Sequence, residues 1–210
     1  MSKIKFDKNP MSGEPAFFDE DKGIYYGWVV GGLVWPSENP GAVVIVGQED
    51  VWRPPRPAYV LAEFEEKTIG DLIKRCAHLA KDFCTEDFYG RQDPTCLRYV
   101  DQHNAEARQK RMKRFNFNPA PSCDLPMDYH FNLLRDRLTP GKKTIHFPDG
   151  SQLKGQLLSV PESHVIAEDS HYPLVSALGY CVSALMESEG FDNHQPNHVK
   201  TDYDVLNYNN

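Results

Sequence analysis

The sequence predicts a single α/β domain in which one mixed β-sheet is flanked by helices. Three observations predict it. Residues 24–35, 42–46 and 58–64 are apolar, β-branched runs bounded by turn residues, which is how consecutive strands read. A helix-period segment follows at 69–83, and a short run at 87–90 then resumes the sheet before a second helical stretch. At 210 residues and 40% hydrophobic composition, the chain is long enough for one sizeable core.

Each element has a local reason. Residues 1–22 are polar and punctuated by Pro and Gly, and are expected as a loose N-terminal arm. The stretch 24–35 is apolar almost throughout, as a strand covered on both faces should be. Pro36-Ser37-Glu38-Asn39-Pro40-Gly41 is turn chemistry, so 42–46 is expected to pair back as a hairpin. Arg53-Pro54-Pro55-Arg56-Pro57 bars regular pairing and makes a stiff connection, either a docking loop with Trp52 or a cover for a sheet edge. The run 58–64 is the third strand. Thr68 is the expected N-cap of the next helix, with Asp71 as its capping partner, and Ile69, Leu72, Ile73, Cys76, Leu79, Ala80 and Phe83 recur at helical spacing.

Gly90 and Pro94 stop the short strand at 87–90. Residues 95–114 form a polar helix ending in a basic run, and 115–126 is a Pro/Asn loop or short strand. Residues 127–138 read as a helix broken by Thr139-Pro140-Gly141. The segments 144–147 and 152–159, joined by Pro148-Asp149-Gly150-Ser151, read as a hairpin. A last helix spans 171–186, apolar at Leu174, Leu178, Cys181, Val182 and Leu185. The domain is thus expected over 23–187, with 188–210, rich in Asn and Asp, as a disordered tail.

The formal charge of −7 argues against a general electrostatic grip on nucleic acid, while leaving room for a local basic patch. Five scattered cysteines without a CxxC pair fit a reduced, cytoplasmic protein with neither a disulfide framework nor a zinc knuckle. The N-terminus lacks the apolar core of a signal peptide, and no run of about 18 apolar residues is present to span a membrane.

Five sequence pieces in order carry a family resemblance. They are Tyr26-Gly27-Trp28-Val29-Val30-Gly31, Gly41-Ala42-Val43-Val44-Ile45-Val46-Gly47, Tyr59-Val60-Leu61-Ala62-Glu63, Phe88-Tyr89-Gly90-Arg91, and the stretch from Glu168-Asp169-Ser170-His171 to Tyr180. Together they resemble the C-terminal, ribonuclease-H-like nuclease domain of the bacteriophage terminase large subunit, whose corresponding wording is YIGxDxG, AxVVxG, YVLDE, IYGD and DDHxxDALRYA. The resemblance covers 24–185. It implies a ribonuclease-H-like fold and divalent-metal-dependent cleavage of DNA during viral packaging. No GxxxxGK[ST] loop occurs in the sequence, so ATP hydrolysis by the family's motor is not expected.

Two-metal phosphodiester hydrolysis places Mg²⁺ or Mn²⁺ ions roughly 4 Å apart, held by carboxylates because these cations take hard oxygen ligands. The family's acids fall here on Val29, Arg91 and Ser176, none of which binds such a cation, and the fixed charge of Arg91 would compete for the same ground. The acids that remain are Asp93, Glu168 and Asp169, the candidate catalytic set. With His171 and Glu63 they form the candidate metal set. Each also has a plain structural reading: Asp93 before Pro94 as a turn starter, Glu168-Asp169-Ser170 as a helix cap, His171 as a surface residue, and Glu63 as a solvated strand-end acid. Arg108, Lys110, Arg111, Lys113 and Arg114, followed by Phe115 and Phe117, are the candidate nucleic-acid contact. Their plain reading is a solvated helix end.

The sequence is therefore compatible with three functions. The first is a terminase-type nuclease-like protein that has lost metal-dependent cleavage and pairs with double-stranded DNA, a packaging motor or a capsid protein. The second is an active endonuclease with a rearranged acidic site using Mg²⁺ or Mn²⁺. The third is a non-catalytic protein- or DNA-binding module, since fold alone does not fix function.

Overall fold

The computed structural model describes residues 4–51, 56–110, 112–121, 127–138, 144–160 and 171–188. Its strands are β1 (Ile4–Lys8), β2 (Pro15–Asp19), β3 (Ile24–Val34), β4 (Gly41–Glu49), β5 (Ala58–Glu66), β6 (Asp87–Gly90), β7 (Asn116–Pro119) and β8 (Ile145–His146). Its helices are α1 (Ile69–Asp82), α2 (Pro94–Lys110), α3 (Met127–Leu138), α4 (Gln152–Ser159) and α5 (Pro173–Ser188).

All eight strands belong to one mixed sheet. β3, β4 and β5 run antiparallel in sequence order, then β6 adds parallel to β3 and β7 adds parallel to β6. Read across, β5-β4-β3-β6-β7 is the ribonuclease-H-like order, with β8 added parallel to β5. β3 is 11 residues long and divides one edge between two neighbours. Its start pairs with β2 over Ile24–Tyr26, and its later half pairs with β6 over Gly31–Leu33.

Alternation along the central strands sends side chains to two separate cores. Val30, Val34, Val44, Val46 and Val60 face α5, where they pack with Leu174, Ala177, Leu178 and Cys181. Val29, Leu33, Val43 and Ile45 face the other side and pack with Leu72, Ile73, Cys76 and Leu79 of α1 and with Phe88 and Phe115. The helix α5 is buried on every side from Leu174 to Leu185, with the sheet beneath it and α3 and α4 against it. That explains why its apolar residues are not confined to one stripe.

Three local expectations change. Residues 4–8 and 15–19, expected within a loose arm, form a hairpin whose outer strand is β1 and whose inner strand joins β3. Ile4 is buried in the α1-side core, and the Asp19 carboxylate accepts from the backbone N–H groups of Asp21 and Lys22 and from the Tyr26 hydroxyl, so packing and polar contacts both hold it down. Residues 152–159, expected as a strand, form α4: Ser151 caps it by accepting from the Lys154 N–H, and a sheet carboxylate completes the cap. The last helix begins at Pro173, where the fixed φ of proline suits the first helical position. The N-cap of α1 is as expected, with Thr68 Oγ1 accepting from the Asp71 N–H at 3.1 Å. Trp52, Arg53, Pro54 and Pro55 of the proline-rich connection, and the expected tail beyond 188, lie outside the described residues. No described helix is long and apolar enough to cross a membrane.

Candidate functional site

In open α/β sheets ligands sit beyond the carboxyl ends of parallel strands. Here that ground lies past β3, β6 and β7. It is closely packed. The indole N–H of Trp35, just after β3, donates to the Arg91 carbonyl at 3.0 Å, and its ring packs on Phe117 of β7 with centroids 5.0 Å apart. The Ala120 N–H donates to the Gly90 carbonyl at 3.0 Å. A Cβ on Gly90 would stand 2.2 Å from the Leu33 carbonyl oxygen, so β6 needs glycine there to lie this close to β3.

The positions that the resemblance equates with metal-binding acids do not share a face. Val29 is buried in the core on the α1 side, and its carbonyl accepts from Thr85 Oγ1 at 2.6 Å. Ser176 is fully buried on α5, which lies against the opposite face of the sheet. Arg91 is exposed. A site shared between the first long strand and α5 would have to use the alternate register, Val30, Gly32 and Val34. These positions escape sequence reasoning because strand alternation gives parity without saying which parity meets which helix. At Gly32 the contact is with the helix backbone itself: a Cβ there would stand 1.8 Å from the Ala177 carbonyl oxygen.

Two of the candidate acids act as helix caps. Asp93 Oδ1 accepts from the Thr95 N–H at 2.8 Å and the Cys96 N–H at 2.9 Å at the start of α2. The Cys96 N–H, with that of Thr95, holds the Asp93 carboxyl below the usual carboxylate range. Burial, with Asp93 adding to it, pushes the Cys96 thiol up to about 12. Glu63 caps α4 across the chain. Its Oε2 accepts from Ser151 Oγ at 2.7 Å, and its Oε1 accepts from the Gln152 N–H and from the Leu153 N–H at 3.3 Å. A carboxylate at the positive end of a helix is well placed electrostatically.

The ladder registers also separate these two acids. Glu63 lies opposite Val44, Val44 opposite Gly32, and Gly32 opposite Tyr89, so Glu63 and Tyr89 occupy one row across the sheet. Three strand spacings separate them, roughly 14 Å, and Asp93 follows Tyr89 along the chain. Each of the two acids is held at the start of its own helix, Asp93 at α2 and Glu63 at α4. His171 is exposed in the bend before α5, and Glu168 and Asp169 lie outside the described residues. Among the described residues, no three His, Cys, Asp or Glu side chains are grouped to hold a metal ion. The described residues alone thus bring together no donor set for two Mg²⁺ or Mn²⁺ ions.

The basic run divides in two. Lys110 pairs with Glu106 at 3.7 Å, and Lys113 pairs with Glu86. Arg108 and Arg114 line a polar groove of about 370 Å³ between the end of α2 and the start of β7. Arg111 lies outside the described residues. The two phenylalanines that follow are used in packing. Phe115 is fully buried and meets Phe88 edge-on at 5.1 Å, and Phe117 packs on Trp35.

No protein-family model matches the chain, and no curated protein matches it. Solved structures similar to the chain include the following three. The Thermus thermophilus RuvC structure is 11% identical, over 78% of this chain and 97% of that one, with a TM-score of 0.41. The fowlpox virus Holliday junction resolvase is 7% identical, over 77% of this chain and 99% of that one, with a TM-score of 0.44. The yeast mitochondrial Holliday junction resolvase Ydc2 is 11% identical, over 81% and 89%, with a TM-score of 0.38. The ribonuclease-H-like fold of this chain rests on its own strand order and connections, which need no superposition.

Proposed function

We propose that this chain is a ribonuclease-H-fold protein related to the terminase nuclease domain that engages double-stranded DNA and no longer cleaves it by the two-metal route. One observation carries the reading. On the face where the first long strand meets the last helix, Gly32 touches the α5 backbone between two buried valines, Val30 and Val34, so protein fills the ground where acids from those elements would converge. The capping roles of Glu63 and Asp93 support it, because their oxygens already accept backbone N–H groups and metal binding would cost both helices their caps. Pairing with a packaging motor or capsid protein follows from the sequence resemblance alone and belongs to the same reading.

The test is incubation with supercoiled plasmid and millimolar Mn²⁺ or Mg²⁺, beside an Asp169→Asn control. Intact plasmid, with bound duplex seen by fluorescence anisotropy and no Mn²⁺-dependent rise in melting temperature, is the expected result. Cleavage that disappears in the Asp169→Asn protein would overturn it in favour of a living, rearranged nuclease.

A further inference from the structure

We propose that the groove between the end of α2 and the start of β7 grips the phosphodiester backbone through Arg108 and Arg114. The site rests on the reading that the protein engages DNA and gives that contact a place. The observation behind it is a difference within one basic run. Lys110 and Lys113 are each neutralised by a carboxylate, Glu106 and Glu86 respectively. Arg108 and Arg114 have no carboxylate within ion-pair distance among the described residues, and both line the same groove. Glu86, which also lines it, is already occupied by Lys113, leaving Asp101 as the one acid opposing two guanidinium groups. A guanidinium presents planar paired donors that match phosphate oxygens, which a lysine ammonium does not.

The groove is also held open by fixed walls. Asn104 of α2 clamps the residue next to Arg114: its Nδ2 donates to the Phe115 carbonyl at 2.7 Å, and its Oδ1 accepts from the Phe115 N–H at 3.2 Å. The Asn116 N–H donates to the Glu86 carbonyl at 2.6 Å. The backbones carrying the two arginines are therefore locked together before any ligand arrives, which lowers the ordering cost of binding. No free ring face adjoins the groove from Phe115, which is fully buried, or from Phe117, which packs on Trp35. The contact reads charge and spacing without reading bases, so it is indifferent to sequence.

The experiment is fluorescence anisotropy with a short labelled duplex of mixed sequence over a series of salt concentrations. It compares wild type, an Arg108→Ala/Arg114→Ala protein and a Lys110→Ala protein, whose partner Glu106 stands outside the groove. All three side chains are exposed, so the variants should keep the wild-type melting temperature, which circular dichroism checks. Each phosphate neutralised contributes about 0.9 to the slope of log affinity against log salt, so losing both arginines should flatten that slope by about 1.8. The lysine variant should keep a slope near wild type. Wild-type binding whose slope is unchanged by the arginine substitutions, or flattened as much by Lys110→Ala, would overturn the groove while leaving DNA engagement intact. Absence of any wild-type binding would overturn DNA engagement itself, and this site with it.

Discussion

The carbonyl oxygen of Ala177 lies 1.8 Å from where a Cβ on Gly32 would stand, so the central strand and the buried helix meet backbone to backbone. Cys181 Sγ, one helical turn on, would stand 2.8 Å from the same Cβ. The Cys181 thiol accordingly sits against the Val44 carbonyl at 3.4 Å, and burial pushes its pKa upward. Helix and sheet are thus fitted through the smallest residue available, which leaves neither side room to move.

Gly32→Ala should therefore be severe. The added methyl meets a backbone carbonyl that can give way only if α5 shifts off the sheet, and a loss of about 3 kcal/mol is expected from forced overpacking. Gly155→Ala is the matched control. It lies inside α4 with nothing within 4 Å of its Cβ position, so the same substitution should stabilise by about 0.5–1 kcal/mol. Urea denaturation of both proteins checks the pair. A Gly32→Ala protein as stable as wild type would mean that α5 is not seated as described.

Glu63→Ala should cost about 1–2 kcal/mol, because it strips an acceptor from the N–H groups of Gln152 and Leu153 and from the Ser151 hydroxyl. Glu65→Ala removes only an exposed contact with Gln156 and should change stability by less than about 0.5 kcal/mol. Hydrogen exchange localises the effect: the amides at the start of α4 should exchange faster in the Glu63 variant alone. If exchange there is unaltered, the carboxylate is not holding the helix end.

Asp93→Ala should reveal a cap whose value depends on pH. The Asp93 carboxyl is held below its ordinary value in the folded protein by the Cys96 and Thr95 N–H groups. The folded state therefore favours the ionised form, and its contribution is full above the unfolded carboxyl value of about 4. It fades as pH falls through the lower folded value. At pH 7 the substitution should cost about 1 kcal/mol, an ordinary figure for an N-cap, and the gap to wild type should narrow towards pH 3. Denaturant midpoints at the two pH values decide it. A gap that widens on acidification would show that the cap does not depend on charge.

Much of the sheet was legible because its residues state their own environment. β4, most of β3 and the first half of β5 are apolar on both parities, which only a strand between two helical layers needs. α1 declares itself by its cap and its period. What stayed illegible is what distant residues decide. α4 carries Gly155 and no clear apolar stripe, and its N-terminus is set by Glu63, 88 residues before Ser151 in the chain. The β1–β2 hairpin is short and its outer strand is mostly exposed, and it becomes a pair of strands because Ile4 finds the core and Asp19 finds Tyr26. The site was harder still. Residue types identified Asp93 and Glu63 as acids, while only the fold reveals that each faces a helix terminus and that the two lie several strands apart.

The burial of α5 on all sides has a consequence for how the protein is made. Translation delivers all eight strands before this helix, so a ribosome carrying the nascent chain holds a sheet with one valine-rich face bare. Until Pro173 to Leu185 emerges, that face is open to chaperones and to other nascent chains, the circumstance in which aggregation competes with folding. The last helix acts as a plug fitted late, and a ribosome stalled short of it would release a chain that has its sheet and lacks the piece that seals it.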